Sequence, residues 1–116
     1  MRIQQVAEDT GLSQHTLRYY ERQGLIWAVP RDEFGHRYYR EQDVHWLKFI
    51  QCLKMTGMPL KDIQAYAKRV VSDDKQPQYL LKILTEHKQR LESSRTEIDE
   101  CLNHIDWKIE HYQNLL

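Results

Sequence analysis

Four glycines and three prolines in 116 residues leave little room for a loop-rich or collagen-like chain. Two cysteines, Cys52 and Cys101, are too few for a disulfide framework. No apolar run approaches the roughly 20 residues of a membrane span, and Met1 leads straight into Arg2-Ile3-Gln4-Gln5 without a signal-peptide core. A cytoplasmic chain with reduced thiols and no membrane partner is expected. Neither charge dominates: 17 Lys and Arg face 17 Asp and Glu. The balance hides a split, because residues 1–71 carry 11 basic against 8 acidic side chains and residues 72–116 carry 6 against 9. A basic head permits nucleic-acid binding without requiring it. Also missing are a nucleophile with a paired base, a phosphate-cradling glycine loop and a run of metal ligands. An enzyme is therefore the least favoured class, and no cofactor or metal is expected. What remains is a composition 41% apolar and 10% aromatic, enough for one modest core with an appendage.

Along the chain, Ile3, Val6 and Ala7 form an apolar stripe, Gly11-Leu12-Ser13 interrupts it, and Leu17, Tyr20 and Leu25 resume it. This spacing predicts helix, tight turn, helix. Gly11 suits the left-handed end of the first helix, and Ser13 suits the N-cap of the second. A helix-turn-helix fits, and a generic helical hairpin fits the spacing equally. Beyond Gly24 the pattern changes: Ile26-Trp27-Ala28-Val29, a polar turn with Gly35, and Tyr38-Tyr39 predict a small β-hairpin wing. Arg31, His36, Arg37 and Arg40 decorate it, as suits either phosphate binding or a solvated loop. Glu41 to Thr56 returns to helix with Val44, Leu47, Ile50 and Leu53 inward. Pro59 is expected at the first helical position of a fourth helix running to about Val71, burying Leu60, Ile63, Ala67 and Val70.

Residues 72–77 read as a linker between a head, 1–71, and a helix, 78–116. Heptads with Leu81 at position a place Leu84, Leu91, Ile98, Ile105 and Tyr112 at d, and Leu102, Ile109 and Leu116 among the a positions. Lys88 and Arg95 are the two polar exceptions in that seam. About 37 helical residues span roughly 55 Å, more seam than a small head covers. A second copy of the chain is the expected partner, the alternative being a helix folded back on its own head.

The residues from Leu17-Arg18-Tyr19-Tyr20-Glu21-Arg22-Gln23-Gly24 to Leu25-Ile26, then Arg31 to Tyr39, then Gly57-Met58-Pro59-Leu60-Lys61-Asp62-Ile63, closely resemble the MerR family of bacterial transcription regulators. The resemblance covers nearly the whole chain. It implies a mostly α fold: a winged helix-turn-helix head, a bracing helical pair and an antiparallel coiled-coil homodimer. It implies double-stranded promoter DNA as the partner, a pseudopalindrome that the dimer distorts, with RNA polymerase engaged indirectly at the promoter. On this pattern Gln14, His15, Thr16, Arg18 and Tyr19 face the major groove, while Arg31, His36, Arg37 and Lys61 hold the backbone. Tyr20 and Tyr39 are expected in the core. The sequence departs from the pattern at Trp27-Ala28, where prolines are common.

Relatives with drug-binding domains run on well beyond the equivalent of Leu116, and none is expected here. Gln78-Tyr79 stands where metal-sensing relatives carry a Cys, so a metal switch of that design is not expected. Cys101 and His104, one turn apart, sit at outward heptad positions. The stretch Gln51-Cys52-Leu53-Lys54-Met55-Thr56-Gly57-Met58 resembles the branch that responds to aldehydes, electrophiles and thiol stress, which implies Cys52 as the sensor. Independently of that, helical periodicity places Lys48 and His45 on the face of Cys52, where positive charge favours a thiolate. The competing reading is a small buried cysteine filling a helix interface. Other readings are a regulator or repressor with a different effector or none, an architectural DNA-bending winged helix, and a coiled-coil adaptor. The last leaves the wing arginines without a purpose.

Overall fold

The computed structural model describes every residue from Met1 to Leu116, in five helices: α1 (Ile3–Thr10), α2 (Gln14–Arg22), α3 (Glu41–Met55), α4 (Leu60–Val70) and α5 (Pro77–Gln113). Two compact units result, Met1–Leu80 and Leu81–Leu116.

Within the first unit, α1 packs on α2 and α3, and α4 packs on α3. Val6, Leu17, Leu25, Leu47, Ile50 and Ile63 lose essentially all solvent contact, with Tyr20 and Tyr39 buried among them as core aromatics. Each such side chain contributes about 1.5–3 kcal/mol through apolar burial. The turn between α1 and α2 forms as its residues dictate. Gly11 takes φ +73° and its N–H caps the Ala7 carbonyl, while Ser13 accepts the Thr16 N–H at 3.0 Å. A Cβ at Gly11 meets no neighbouring atom, so only the backbone conformation demands glycine there.

Two expectations need correction at α4. Pro59 is the N-cap and not the first helical residue: its ψ of 145° is extended, and its carbonyl accepts from Asp62 and Ile63. Leu60 then occupies the open first turn and is exposed, and Tyr66 joins Ile63 and Ala67 in the buried face. The wing is slighter than a paired hairpin. Its ladder is reduced to two isolated antiparallel bridges, Arg31 with Arg37 and Arg2 with Tyr38. Ile26 and Val29 are buried in the core, so the first arm spends its side chains on packing and its backbone does not pair until Pro30 and Arg31.

Trp27 accounts for the departure from the proline-bearing pattern. Its indole N–H donates to Asp43 at 2.6 Å and its ring lies 5.2 Å from that of Trp46. Trp46 also stacks on Tyr66 at 6.0 Å and donates to the Leu25 carbonyl at 2.7 Å. The path from α2 into the wing is thus fixed by aromatic packing.

In the second unit α5 is helical from Leu81 to Gln113, and His87 is its one buried residue. Ile98, Leu102, Ile105, Ile109 and Tyr112 are all exposed, and Leu84 and Leu91 are half-buried.

Candidate nucleic-acid interface

The cap at Ser13 decides which residues α2 offers to solvent. Gln14, His15 and Thr16 form its first turn, and Arg18 follows one turn after Gln14, whose amide oxygen accepts from the Arg18 guanidinium at 3.4 Å. Thr16 is partly committed to the cap, since its hydroxyl accepts from Ser13 at 2.9 Å. Tyr19 is half-buried, with the Lys54 ammonium 5.9 Å from its ring and 4.9 Å from that of Tyr20.

Facing this helix, the wing turns at a loop organised by Asp32. Its carboxylate accepts the N–H groups of Phe34 at 2.9 Å and His36 at 3.0 Å, with Arg2 at 3.7 Å and His36 Nδ1 at 3.8 Å. The backbone hydrogen bond from His36 comes first among the influences that hold this carboxyl below its ordinary pKa. Gly35 adopts φ +80° at the tip, and its carbonyl accepts from Arg31 at 3.0 Å. The loop is therefore pinned by its own hydrogen bonds.

Between α2 and the wing lies a cleft of about 210 Å³ lined by Arg2, Gln14, Arg18, Arg31, His36 and Arg37, among others. Four guanidinium groups, an imidazole and the N-terminal turn of a helix converge on it, a combination that attracts an anion. Arg37 is the most withdrawn of the four, its Nε donating to Glu21 at 3.3 Å with each side chain of the pair only 18% exposed.

Of the residues expected to bind nucleic acid, Gln14, Arg18, Arg31, His36 and Arg37 come together at this cleft, while His15, Thr16 and Tyr19 stand on α2 outside its lining. Lys61 is exposed on the first turn of α4 and does not line the cleft. Sequence reasoning missed Arg2. Its place follows from the long-range bridge to Tyr38, which no local pattern announces.

At the expected sensor position, Cys52 is exposed and not the small buried filler considered as its alternative. Cys101 is exposed as well. Of the two groups expected beside Cys52, Lys48 is exposed, and the His45 imidazole lies 3.9 Å from the Glu41 carboxylate. Gln64 of α4 donates to the Gln23 carbonyl at 2.7 Å and so ties α4 to the end of α2.

Comparison with known proteins places this geometry. Residues 1–70 match the family described as MerR HTH family regulatory protein, and residues 44–108 match the family described as MerR, DNA binding. An uncharacterized HTH-type transcriptional regulator of Haemophilus influenzae is 36% identical over 107 residues, covering 92% of this chain and 79% of the relative. The HTH-type transcriptional regulator AdhR of Bacillus subtilis is 40% identical over 91 residues, covering 78% of this chain and 65% of AdhR. Among solved structures, HiNmlR, a MerR family regulator lacking the sensor domain, bound to promoter DNA, superposes with a TM-score of 0.89 at 34% identity. That match covers 97% of this chain and 90% of HiNmlR. These relatives are transcriptional regulators and not enzymes. The chain belongs to the MerR family of DNA-binding helix-turn-helix transcriptional regulators.

Proposed function

We propose that the chain acts as a homodimer on a pseudopalindromic promoter site, distorts that DNA, and is switched by an aldehyde, another electrophile or thiol stress at Cys52. The observation that carries the DNA part is the convergence of Arg2, Arg18 and Arg31 on the cleft beside the capped end of α2. In this reading Gln14, His15, Arg18 and Tyr19 approach base edges, with Thr16 at the capped turn. Arg31, His36 and Lys61 hold phosphates. Distorting a duplex costs a few kcal/mol, which phosphate contacts repay. RNA polymerase is then affected through the shape of the promoter rather than by a dedicated surface.

Support for the dimer comes from α5: Ile98, Leu102, Ile105, Ile109 and Tyr112 recur at seam spacing and stand exposed in the single chain. Support for the switch is slighter. Cys52 is accessible, AdhR is among the relatives, and the added bulk of an adduct changes packing at α3.

The decisive test of the reading head is Arg18→Ala on a duplex selected by the parent protein from a randomised pool. Binding falls by about 1–3 kcal/mol if Arg18 meets a base edge or a well-placed phosphate. Equal affinity of variant and parent at matched salt would remove the helix-turn-helix from the account.

A further inference from the structure

One carboxylate of α2 holds both arms of the wing. Glu21 Oε1 accepts from the Val29 backbone N–H at 3.4 Å and from Arg37 Nε at 3.3 Å. Val29 belongs to the arm that leaves α2, and Arg37 to the arm that returns. The pair is withdrawn from water, each side chain being only 18% exposed, whereas Arg2 and Arg31 stand open to solvent.

We propose that Glu21 is a positioning residue for DNA recognition, clasping the wing to the recognition helix through Val29 and Arg37, and that Arg37 serves this clasp rather than a phosphate. The inference rests on the DNA-binding reading above. With two isolated bridges, the wing has too little ladder to hold an orientation of its own. Backbone bonds between Met1 and Tyr39 tie the returning arm to the chain's N-terminus, and those from Tyr38 to Pro30 and from Asp32 to His36 tie the arms to each other near the tip, but none of these joins the departing arm to α2. The Glu21 carboxylate reaches that arm. By fixing both arms it sets how far Arg31 and His36 stand from Arg18, and hence whether one duplex meets all three together.

The sign of a single substitution separates this role from mere proximity. Glu21 carries negative charge beside a surface read as phosphate-facing. If it did nothing else, Glu21→Gln would relieve repulsion and tighten DNA binding. As a clasp, the same change loosens the wing and weakens binding to the selected duplex roughly tenfold, the order expected for losing one partly buried charged pair. Glu21→Asp keeps the charge, shortens the reach by one methylene, and weakens binding in the same direction.

The experiment measures affinity for a duplex that the parent selects from a randomised pool, across a salt series, with the melting temperature of each variant recorded. Glu21→Gln and Glu21→Asp are expected to weaken binding, and Arg37→Gln to do so without changing the slope of affinity against salt. The double variant Glu21→Gln/Arg37→Gln should bind no worse than either single one. Affinity equal to or tighter than the parent's for Glu21→Gln overturns the clasp. So does a fall of about 1 in the salt slope for Arg37→Gln, which marks a lost phosphate contact. Should Glu21→Gln not fold, Glu21→Asp with the Arg37→Gln slope decides. A parent that selects no duplex overturns the DNA-binding reading itself, a result distinct from all of these.

Discussion

Asp43 has no solvent exposure, yet its charge is answered on several sides: by the Arg40 backbone N–H at 2.8 Å, by the Arg40 guanidinium at 3.1 Å, and by the Trp27 indole at 2.6 Å. Burial pushes its carboxyl up, and the hydrogen bonds from Arg40 and Trp27 together outweigh that, leaving its pKa below the ordinary value. A lowered folded-state pKa adds stability above the unfolded value, about 3.9, that is lost as pH falls through the folded one. Asp43→Asn should cost roughly 2–3 kcal/mol at pH 7, at the lower end for a buried pair because Arg40 is half exposed. Chemical denaturation at pH 7 and again near pH 3 tests it, the deficit shrinking at the acid end. A deficit that is the same at both pH values would assign the loss to packing instead of charge. Cys52 supplies the other prediction at this scale. Both thiols are exposed, so access alone predicts equal alkylation of Cys52 and Cys101. A sensor at Cys52 is expected to react before Cys101 at neutral pH, as mass spectrometry after brief iodoacetamide treatment would record. Cys52→Ala should then keep operator binding and lose the response to aldehyde or diamide, and Cys101 reacting first would count against the sensor.

At the level of elements, the segments that read correctly from sequence are those governed by local rules. Gly11 ends α1 and Ser13 begins α2 because a left-handed residue and a side-chain acceptor are needed at those points. Val44, Leu47, Ile50 and Leu53 are buried because one face of a 15-residue helix must be. What did not read correctly depends on distant partners. The wing arms looked like paired strands, but their hydrogen bonds go to Met1 and Glu21 as well as to each other. Arg2 reaches the basic cleft only through its bridge to Tyr38. Trp27 looked like an anomaly until Asp43, sixteen residues on, proved to be its acceptor. Recognition of the family named most of the cleft residues, and the charge arithmetic alone named none. The cap on α2 gives this scale its test. Ser13→Ala removes the acceptor for the Thr16 N–H and should lower stability by about 1 kcal/mol. It should also weaken DNA binding, since it frees the turn that carries Gln14 and Thr16. A melting temperature unchanged from the parent would show that the hydroxyl contributes nothing.

On the scale of the whole molecule, the proposed dimer joins two reading heads through helices whose apolar seam stands exposed in the single chain. Ile98 and Ile105 are each more than half exposed, at 58% and 53%, and lie one heptad apart. Burying such side chains against a second copy contributes about 1–2 kcal/mol each and recurs along the seam. In the proposed dimer two heads would match two half-sites of a pseudopalindrome, so that dimerisation and sequence recognition stand or fall together. Native mass spectrometry of the parent with its selected duplex tests this most directly, alongside a variant carrying Ile98→Asp and Leu102→Asp. Two chains on each duplex are predicted for the parent, and for the variant a free monomer that no longer forms the complex at micromolar concentration. One parent chain per duplex, or a variant still dimeric and still bound, would contradict the account.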